Sequence, residues 1–352
     1  MGRVAWHWRA ELERRGHRFT ELGRAPLGRE AHPAIYPWIA RWAANSVVPP
    51  PDLVLAHEPS AACFAASKWP TVSFSHGLER RGWMALLKYN EQSHERISLR
   101  SRLLYPYWRL APSDYGNRRA AGMLVLNSED YEYCLRNYGR SAENTFLFRN
   151  GVNLRSGYER SHPVDAPTVL FLGSWLARKG TSTLTQAAGI LHGRGLAVNW
   201  LLAGTGVRSD EVLSSWSPQS HANVEVVPEF CAGEERDLMR RAHIFVLPSF
   251  FEGQPLSLLQ AMAEGLPVVT SDTCGQRDLV QHDENGLLFH PGNARELAAQ
   301  LERCIRSEAL RSRLGGQAQR SVAARSWEAT SSDVADFVEK VFARSTLRAR
   351  TA

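Results

Sequence analysis

Nine apolar runs of strand length recur along the chain, and most of them are continuous rather than alternating. Continuous apolar runs are typical of parallel strands that are buried on both faces of a sheet. The runs are DLVLAH (52–57), TVSFSH (71–76), GMLVLNS (122–128), NTFLFRN (144–150), TVLFLGS (168–174), NWLLAG (199–204), NVEVVP (223–228), HIFVLPS (243–249) and PVVTS (267–271). Helix-like stretches such as GTSTLTQAAGILHGRG lie between several of them. This alternation predicts two doubly wound α/β units.

The length of 352 residues is typical of two domains. A polar stretch, RSGYERSHPVDAP (155–167), separates the two sets of strands and is the predicted linker. We predict a first domain over 1–160, a second over 161–325 and a final helix over 326–352. The final helix has an apolar face, which predicts that it packs back across the first domain. That face consists of Val334, Phe337, Val341 and Phe342.

The N-terminal segment departs from the usual order of an α/β unit, which opens with a strand, a glycine turn and a helix. Here Gly2 leads directly into a helical pattern, and the following HRFTEL (17–22) predicts a strand. We therefore expect either a coding start placed too late or a first domain whose sheet lacks its N-terminal strand.

The five cysteines are scattered and form no C-x-x-C pair, which predicts free thiols in a reducing cytoplasm. No apolar run reaches the length of about 18 residues that a membrane-spanning helix needs. The N-terminus has arginines but no apolar core segment, so no signal peptide is predicted.

Positive charge is concentrated in the first half of the chain. Residues 1–165 contain 23 lysines and arginines against 16 aspartates and glutamates, a net charge of +7, whereas the remainder has a net charge of −1. The excess favours an anionic partner, such as a membrane surface, a lipid phosphate or a nucleic acid. An arginine-rich composition without such a partner explains it equally well.

Ligands of open α/β sheets bind beyond the carboxyl ends of the strands, where loops meet helix N-termini. Three such junctions of the second domain have residues that favour an anion. FLGSWLARKG places Arg178 and Lys179 at the entry to a helix, and LLAGTG supplies the glycine turn of Gly204 and Gly206. The third junction is VLPSFFEGQP (246–255).

This third junction predicts an anion site at a helix start. Pro255 is the predicted first helical residue, because its missing N–H costs nothing there. The free amides of Leu256 and Ser257 would then point out of the helix, and Gly253 allows close approach of a ligand to the backbone.

Glu252 and Gln260 flank this helix start. Glu252 repels phosphate, so we expect it near hydroxyl groups such as those of a sugar; a carboxylate that stabilises the helix dipole is the alternative. Gln260 would lie about 7 Å along the helix axis from Pro255, at about 1.5 Å per residue. That offset matches the separation between a diphosphate and the adjoining ribose.

Residues 168–300 resemble the second domain of retaining GT-B-fold glycosyltransferases of the group 1 (glycosyltransferase family 4-like) type. The resemblance rests on FLGSWLARKGTSTL, LLAGTG, PSFFEGQPLSLLQAMAEGLPVVTSDTCGQRDLV and NGLLFHPGNARELA, in that order. The first domain resembles that of the family more loosely, in GRVAWHWRAELERRGHRFTEL, DLVLAH, TVSFSHGLE and NSEDYEYCLRNYG. The resemblance implies two Rossmann-like domains facing across a cleft.

The resemblance also implies a nucleotide-sugar donor held mainly by the second domain and an acceptor bound by the first. Lys179 matches the family lysine at the donor diphosphate, Glu252 the acid at the transferred sugar, and Gln260 the acid at the ribose. His76 matches a histidine near the transferred sugar, and Gly2 the N-terminal glycine loop. The predicted catalytic residues are Glu252, His76 and Lys179. The predicted substrate-binding residues are Gly2, Gly173, Ser174, Arg178, Gly204, Gly206, Gly253, Gln254, Leu256, Ser257 and Gln260.

Three positions depart from the family pattern. The chain has Gly173-Ser174 where the family usually has glycine and arginine, which removes one diphosphate contact unless Arg178 replaces it. Gln260 can accept a hydrogen bond from one ribose hydroxyl but carries no charge. Asp278 stands for a later family glutamate.

Two features of the first domain leave alternatives open. His76 alone would be a hydrogen-bonded histidine at a strand end, and His57 is assigned a structural role. The segment HERISLRSRLLYPYWRLAP (94–112) mixes arginines, aromatics and leucines. It favours peripheral contact with an anionic membrane face, or equally an ordinary solvated helix.

We therefore expect a cytoplasmic, metal-independent glycosyltransferase of polysaccharide biosynthesis, since the chain has no D-x-D motif that would hold a metal. It would use a UDP- or GDP-sugar and a glycan or lipid-linked acceptor. A catalytically weak nucleotide-sugar-binding subunit and a sugar-nucleotide 2-epimerase stay open as alternatives. A nucleic-acid binder ranks last, because no motif of that class occurs.

Overall fold

The computed structural model describes residues 2–22, 35–90, 97–153, 166–231 and 233–351. The chain forms two compact units. The first comprises Met1–Met84, Ile97–Gly151 and Trp327–Ala352, and the second comprises Ala85–Arg96 and Val152–Ser326. The predicted linker over 155–167 lies outside the described residues, except for its last two. Within the described ranges, no helix is both long and apolar enough to cross a membrane.

The first unit is built on a parallel sheet whose strands lie side by side in chain order. The strands are β1 (Val54–His57), β2 (Thr71–Phe74), β3 (Gly122–Val125) and β4 (Thr145–Leu147). The helices before and between them are α1 (Arg3–Arg14), α2 (Tyr36–Ala44), α3 (Ala61–Phe64), α4 (Glu79–Lys88, in this unit up to Met84), α5 (Leu99–Tyr105), α6 (Ala111–Arg119) and α7 (Ser128–Asn137). A π-helical segment, Pro106–Leu110, joins α5 to α6.

The predicted strand over 17–22 is wrong. These residues have no regular secondary structure, and most of them are exposed. Phe19 and Leu22 are the only large apolar side chains in the segment, and both are half-buried. A strand that buries so little apolar surface gains too little from pairing to offset the entropy of ordering it.

The second unit is built on a six-stranded parallel sheet in the order β10-β9-β8-β5-β6-β7. Its strands are β5 (Thr168–Leu172), β6 (Asn199–Ala203), β7 (Val224–Val227), β8 (Ile244–Leu247), β9 (Val268–Ser271) and β10 (Leu287–Phe289). Its helices are α8 (Thr181–Gly193), α9 (Ser209–Leu213), α10 (Glu235–Arg241), α11 (Leu256–Ala263), α12 (Cys274–Arg277), α13 (Ala294–Arg306) and α14 (Glu308–Val322). This strand order is that of the doubly wound dinucleotide-binding fold. The nine predicted runs all contain strands; β10, with three residues, was missed.

The last helix, α15 (Trp327–Thr351), packs within the first unit. The rings of His7 and Trp327 stack with their centroids 4.2 Å apart. The guanidinium of Arg15 lies 2.6 Å from a carboxylate oxygen of Asp336. The predicted apolar face is correct except at Phe342, which is 39% exposed. The buried members are Val334, Phe337 and Val341.

All five cysteines are free thiols, as predicted. Cys134, Cys274 and Cys304 are buried. Burial raises the pKa of Cys304 to about 12. These thiols therefore behave as small apolar core side chains.

Candidate active site

The order of the second sheet sets the position of the crevice in this unit. The chain runs from β5 through β6 to β7, and then returns to place β8 on the other side of β5. Connections from β5 and β8 therefore leave in opposite directions, which opens a crevice beyond the carboxyl ends of these strands. Lys179 follows β5 and Glu252 follows β8, so both lie at this crevice.

Two close backbone contacts join the loops that follow β5 and β8. The amide of Phe250 donates to the carbonyl oxygen of Arg178 at 2.9 Å. Gly180 has φ +71°, and a Cβ at this position would lie 2.0 Å from the carbonyl oxygen of Pro248. Only glycine therefore fits where the β5 loop enters α8.

Lys179 and Glu252 form an ion pair at the crevice. Lys179 Nζ lies 2.5 Å from Glu252 Oε1, and the two side chains are only 14% and 11% exposed. Arg178 Nη1 lies 4.0 Å from the same oxygen, on a side chain that is 52% exposed. Two basic groups thus face one carboxylate, which leaves an excess of positive charge for an anionic ligand.

The helix α11 begins beside this ion pair with an uncapped N-terminus. Pro255 is the N-cap and Leu256 the first helical residue, so the predicted start at Pro255 is one residue too early. Pro255 has ψ 117°, which is extended rather than helical. No side chain caps the helix, and within the described residues the amides of Leu256 and Ser257 have no protein acceptor. Such amides provide an anion site.

The backbone of the Glu252 loop rests on the short helix α12. The amide of Gly275 donates to the carbonyl oxygen of Glu252 at 3.2 Å. A Cβ on Gly275 would lie 1.8 Å from the carbonyl oxygen of Gly253, so no larger residue fits there. Gln254, next in the loop, is buried. Gly275 and Gly180 were not among the predicted site residues, although both lie inside motifs that carry the family resemblance.

The predicted glycine turn lies beside the loop after β5. Gly204 and Gly206 have φ +68° and +69°, which favour glycine. The amide of Gly173 donates to the carbonyl oxygen of Ala203 at 2.9 Å. A Cβ on Gly173 would lie 4.0 Å from Lys179 Cε, so this position adjoins the lysine. Ser174 is exposed.

Gln260 lies on α11 at a cavity of about 280 Å³ within the second unit. Arg236 on α10 and Glu264, one turn after Gln260, form an ion pair at 3.4 Å in its wall. The remaining lining residues are Asn153, Gly233, Glu235, Asp237 and Arg240. Gln260 therefore faces polar groups that are suited to hydroxyl recognition.

His76 and Gly2 belong to the first unit. His76 follows β2, with its ring centroid 5.4 Å from that of His57. Burial, with a smaller contribution from His57, lowers the pKa of His76 to about 4, so the imidazole is neutral at pH 7 and acts through hydrogen bonds. Gly2 is the N-cap of α1 with φ −75°, and a Cβ there would meet no atom within 4 Å. Its backbone conformation therefore does not require glycine.

The structure thus brings Arg178, Lys179 and Glu252 together beside the start of α11. Across the part of the chain that is described, no three His, Cys, Asp or Glu side chains are grouped so that they could hold a metal ion. Metal independence stays a prediction.

Solved structures that contain two parallel-sheet α/β units like these have the GT-B fold. Sucrose-phosphate synthase from Thermosynechococcus elongatus matches with a TM-score of 0.73 and 21% identity, over 92% of this chain and 81% of that protein. WaaG, a glycosyltransferase involved in lipopolysaccharide biosynthesis, matches with a TM-score of 0.70 and 15% identity, over 96% of this chain and 95% of WaaG. The predicted GT-B fold is confirmed.

Residues 166–307 match the family model of group 1 glycosyl transferases. The lipopolysaccharide core biosynthesis glycosyltransferase LpsE of Rhizobium meliloti is 31% identical over 152 residues, 43% of either chain. The amylovoran biosynthesis glycosyltransferase AmsK of Erwinia amylovora is 29% identical over 209 residues, 56% of this chain and 51% of AmsK. The chain thus spans about half the length of the curated relatives that it matches.

Proposed function

We propose that this chain is a glycosyltransferase that moves a sugar from a UDP- or GDP-sugar to a glycan or lipid-linked acceptor, with retention of anomeric configuration. The observation that carries the proposal is the Lys179–Glu252 pair beside the uncapped start of α11. The family match over 166–307 supports the reaction class. Because LpsE and AmsK are enzymes of lipopolysaccharide and amylovoran biosynthesis, we assign the reaction to cell-envelope polysaccharide synthesis.

In this proposal the donor diphosphate lies between Lys179 and the first amides of α11. Negative charge grows on the leaving nucleoside diphosphate, and fixed donors aimed at it lower the barrier. The phosphate would draw the ammonium of Lys179 away from Glu252. The carboxylate of Glu252 would then accept hydrogen bonds from hydroxyls of the transferred sugar.

The nucleoside would occupy the cavity beside Gln260. The side-chain amide of Gln260 can accept a hydrogen bond from one ribose hydroxyl and donate another to an oxygen of the ribose. The 280 Å³ cavity adjoining Gln260 supports this placement, since its walls offer further donors and acceptors.

Retention is proposed to occur without a covalent intermediate. Retaining glycosidases place two carboxyl groups about 5–5.5 Å apart, one of them as nucleophile. The nearest charged group to Glu252 is instead the ammonium of Lys179. We therefore assign departure and attack to the same face of the sugar: the bond from the anomeric carbon to the phosphate oxygen breaks, and the acceptor oxygen bonds to that carbon. The leaving phosphate takes the acceptor proton.

The test is an incubation of the full chain with labelled UDP- and GDP-sugars and candidate glycan or lipid-linked acceptors. Transfer with the donor's anomeric configuration, read by NMR of the product, is the expected result. Inversion at the anomeric carbon contradicts the retaining mechanism. Donor binding without turnover indicates a binding subunit, and release of free nucleotide with a sugar altered at C2 indicates an epimerase.

We also propose that the protein is cytoplasmic and contacts an anionic membrane face through the first unit. Leu99, Leu103 and Tyr107 recur every fourth residue along α5 and the π-helical segment, and are 72%, 59% and 77% exposed. Arg100 and Arg102 lie among them, also exposed, and residues 97–113 contain no acidic side chain. An apolar stripe flanked by arginines favours binding to a membrane surface, where negatively charged headgroups lie above acyl chains.

Replacing both Leu103 and Tyr107 by aspartate is expected to abolish this contact. The wild-type protein should float with vesicles that contain phosphatidylglycerol, and less so with pure phosphatidylcholine or at high salt, because the attraction is partly electrostatic. The double variant should lose about tenfold or more of the bound fraction. Val48→Asp, at an exposed apolar residue of the same unit that lies outside α5 and the π-helical segment, is the matched control. Equal flotation of wild type and double variant would contradict the proposal that this surface binds a membrane.

A further inference from the structure

A buried carboxyl group lies at the end of β1 in the first unit, outside the site described above. Glu58 directly follows His57 and is 1% exposed. The side-chain amide of Asn117, on α6, donates to its Oε1 at 2.8 Å. The backbone amide of Glu79, at the start of α4, donates to its Oε2 at 3.3 Å. The hydroxyl of Ser75 also hydrogen bonds to this carboxyl group.

These bonds reach both sides of the loop that carries His76. Ser75 immediately precedes His76, and Glu79 begins the helix that follows the loop. A second buried carboxylate, Asp130, accepts from the amide of Leu78 at 3.0 Å. The backbone on either side of His76 is therefore held by side chains from elements distant in sequence, and the direction of its imidazole depends on them.

The protonation state of Glu58 affects these bonds. Burial and, to a smaller extent, the nearby carboxylate of Glu79 raise the pKa of Glu58, and the hydrogen bonds from Ser75, the Glu79 amide and Asn117 oppose the rise, so that the pKa is about 8. A protonated carboxyl group can donate one hydrogen bond and accept others, whereas the ionised form only accepts.

Within the described ranges, the titratable groups that interact with Glu58 would not stabilise its ionised form. They are Glu79 on α4, His57 on β1, and Cys134 and Tyr138 on and after α7. Burial lowers the pKa of His57, so it is neutral at pH 7. The carboxylate of Glu79 is itself engaged by Arg109 and by the hydroxyl of Tyr105.

We propose that Glu58 is a positioning residue: in its neutral form it ties Ser75 and the start of α4 together and so holds His76 in the orientation used in sugar transfer. The proposal rests on the proposed function through the role of His76. When Glu58 loses its proton, a buried negative charge arises beside Glu79, and the loop rearranges to hydrate it. The His76 imidazole then leaves its working orientation.

Two variants separate this role from a merely structural one. Glu58→Gln keeps a neutral group of the same shape, which can both donate and accept, and its kcat at pH 7 should stay within about threefold of wild type. The wild-type kcat should fall about tenfold between pH 7 and pH 9 as Glu58 ionises, and that of Glu58→Gln should not. Glu58→Ala leaves Asn117 and the Glu79 amide without an acceptor, so its kcat should fall about tenfold or more at unchanged donor affinity.

The stability of the protein should change in parallel. Because the pKa of Glu58 in the folded state lies above its ordinary value of 4.5, its contribution to stability is complete below that pH and is lost as pH rises toward 8. Glu58→Gln should therefore have a higher Tm than wild type at pH 8, and no such advantage at pH 4.5.

A readout without substrate keeps this test separate from that of the proposed function. In protein labelled with ¹⁵N at its histidine rings, the His76 resonance, assigned by its loss in His76→Asn, should shift between pH 7 and pH 9 in wild type but not in Glu58→Gln. Such a shift supports the positioning role even if no sugar is transferred. An identical His76 titration in both proteins, or an alkaline fall in kcat that persists in Glu58→Gln, would overturn the proposal.

Discussion

Replacement of Glu252 by glutamine should lower kcat for sugar transfer on the order of 10²- to 10³-fold, because a charged acceptor of sugar hydroxyls is lost where the transition state forms. Affinity for the nucleoside diphosphate should be kept or rise. The carboxylate competes with phosphate for Lys179, whose Nζ lies 2.5 Å from Glu252 Oε1, and glutamine carries no charge. Steady-state kinetics with the donor and calorimetric titration with UDP and GDP measure the two effects separately.

Glu225→Gln is the matched control for this variant. Glu225 also pairs with an arginine in the second unit, Arg241, but both side chains are about half exposed and lie on β7 and α10. The control should keep both kcat and nucleotide affinity, because exposed ion pairs contribute little. Wild-type turnover in Glu252→Gln would reject the placement of the transferred sugar at Glu252.

Replacement of Lys179 by alanine should weaken donor binding about 100-fold, since it removes a charge-assisted contact to the diphosphate from a side chain with little solvent access. It should also destabilise the protein by about 3 kcal/mol, because the mostly buried carboxylate of Glu252 then keeps only the more distant and more exposed Arg178 as a counter-charge. Calorimetric titration with the nucleoside diphosphate measures the first effect, and denaturant unfolding at pH 7 the second.

A double-mutant cycle separates the effect of Lys179 on donor binding from its effect on stability. Combining Lys179→Ala with Glu252→Gln removes both charges, so stability should recover while donor affinity stays low. Arg194→Ala, which breaks the pair with Glu302 elsewhere in the second unit, is the control for loss of one positive charge. Nucleotide affinity equal to wild type in Lys179→Ala would contradict the assignment of this lysine to the diphosphate.

Most of the secondary structure could be predicted because burial on both faces of a parallel sheet demands continuous apolar residues. All four residues of β8, for example, are buried, and the run HIFVLPS predicts it without reference to other strands. The exceptions are segments whose secondary structure depends on whether they pair with a neighbouring strand. Leu287–Phe289 is too short to stand out, and it forms β10 because β9 offers a free edge. The segment 17–22 has a strand-like pattern, but most of it is exposed.

The candidate site was predictable in part for the same reason. Lys179 and Glu252 each follow an apolar run, and the rule for strand ends places both beyond the carboxyl edge of a sheet. Their direct ion pair was not predictable, since it requires β8 to lie beside β5 rather than beside β7. The N-cap at Pro255 depends on one ψ angle, which the order of residues leaves open.

The sequence by itself determined the fold class, the family resemblance and the strand-end positions of the charged residues, because these follow from local apolar patterns and from motifs within short spans. Only the tertiary structure decided which charges pair, which glycines admit a neighbouring backbone and which carboxyl group is buried. Glu58 illustrates the difference. Its neighbours Asn117 and Glu79 lie far along the chain, and a carboxyl group changes its chemistry only when folding removes it from water.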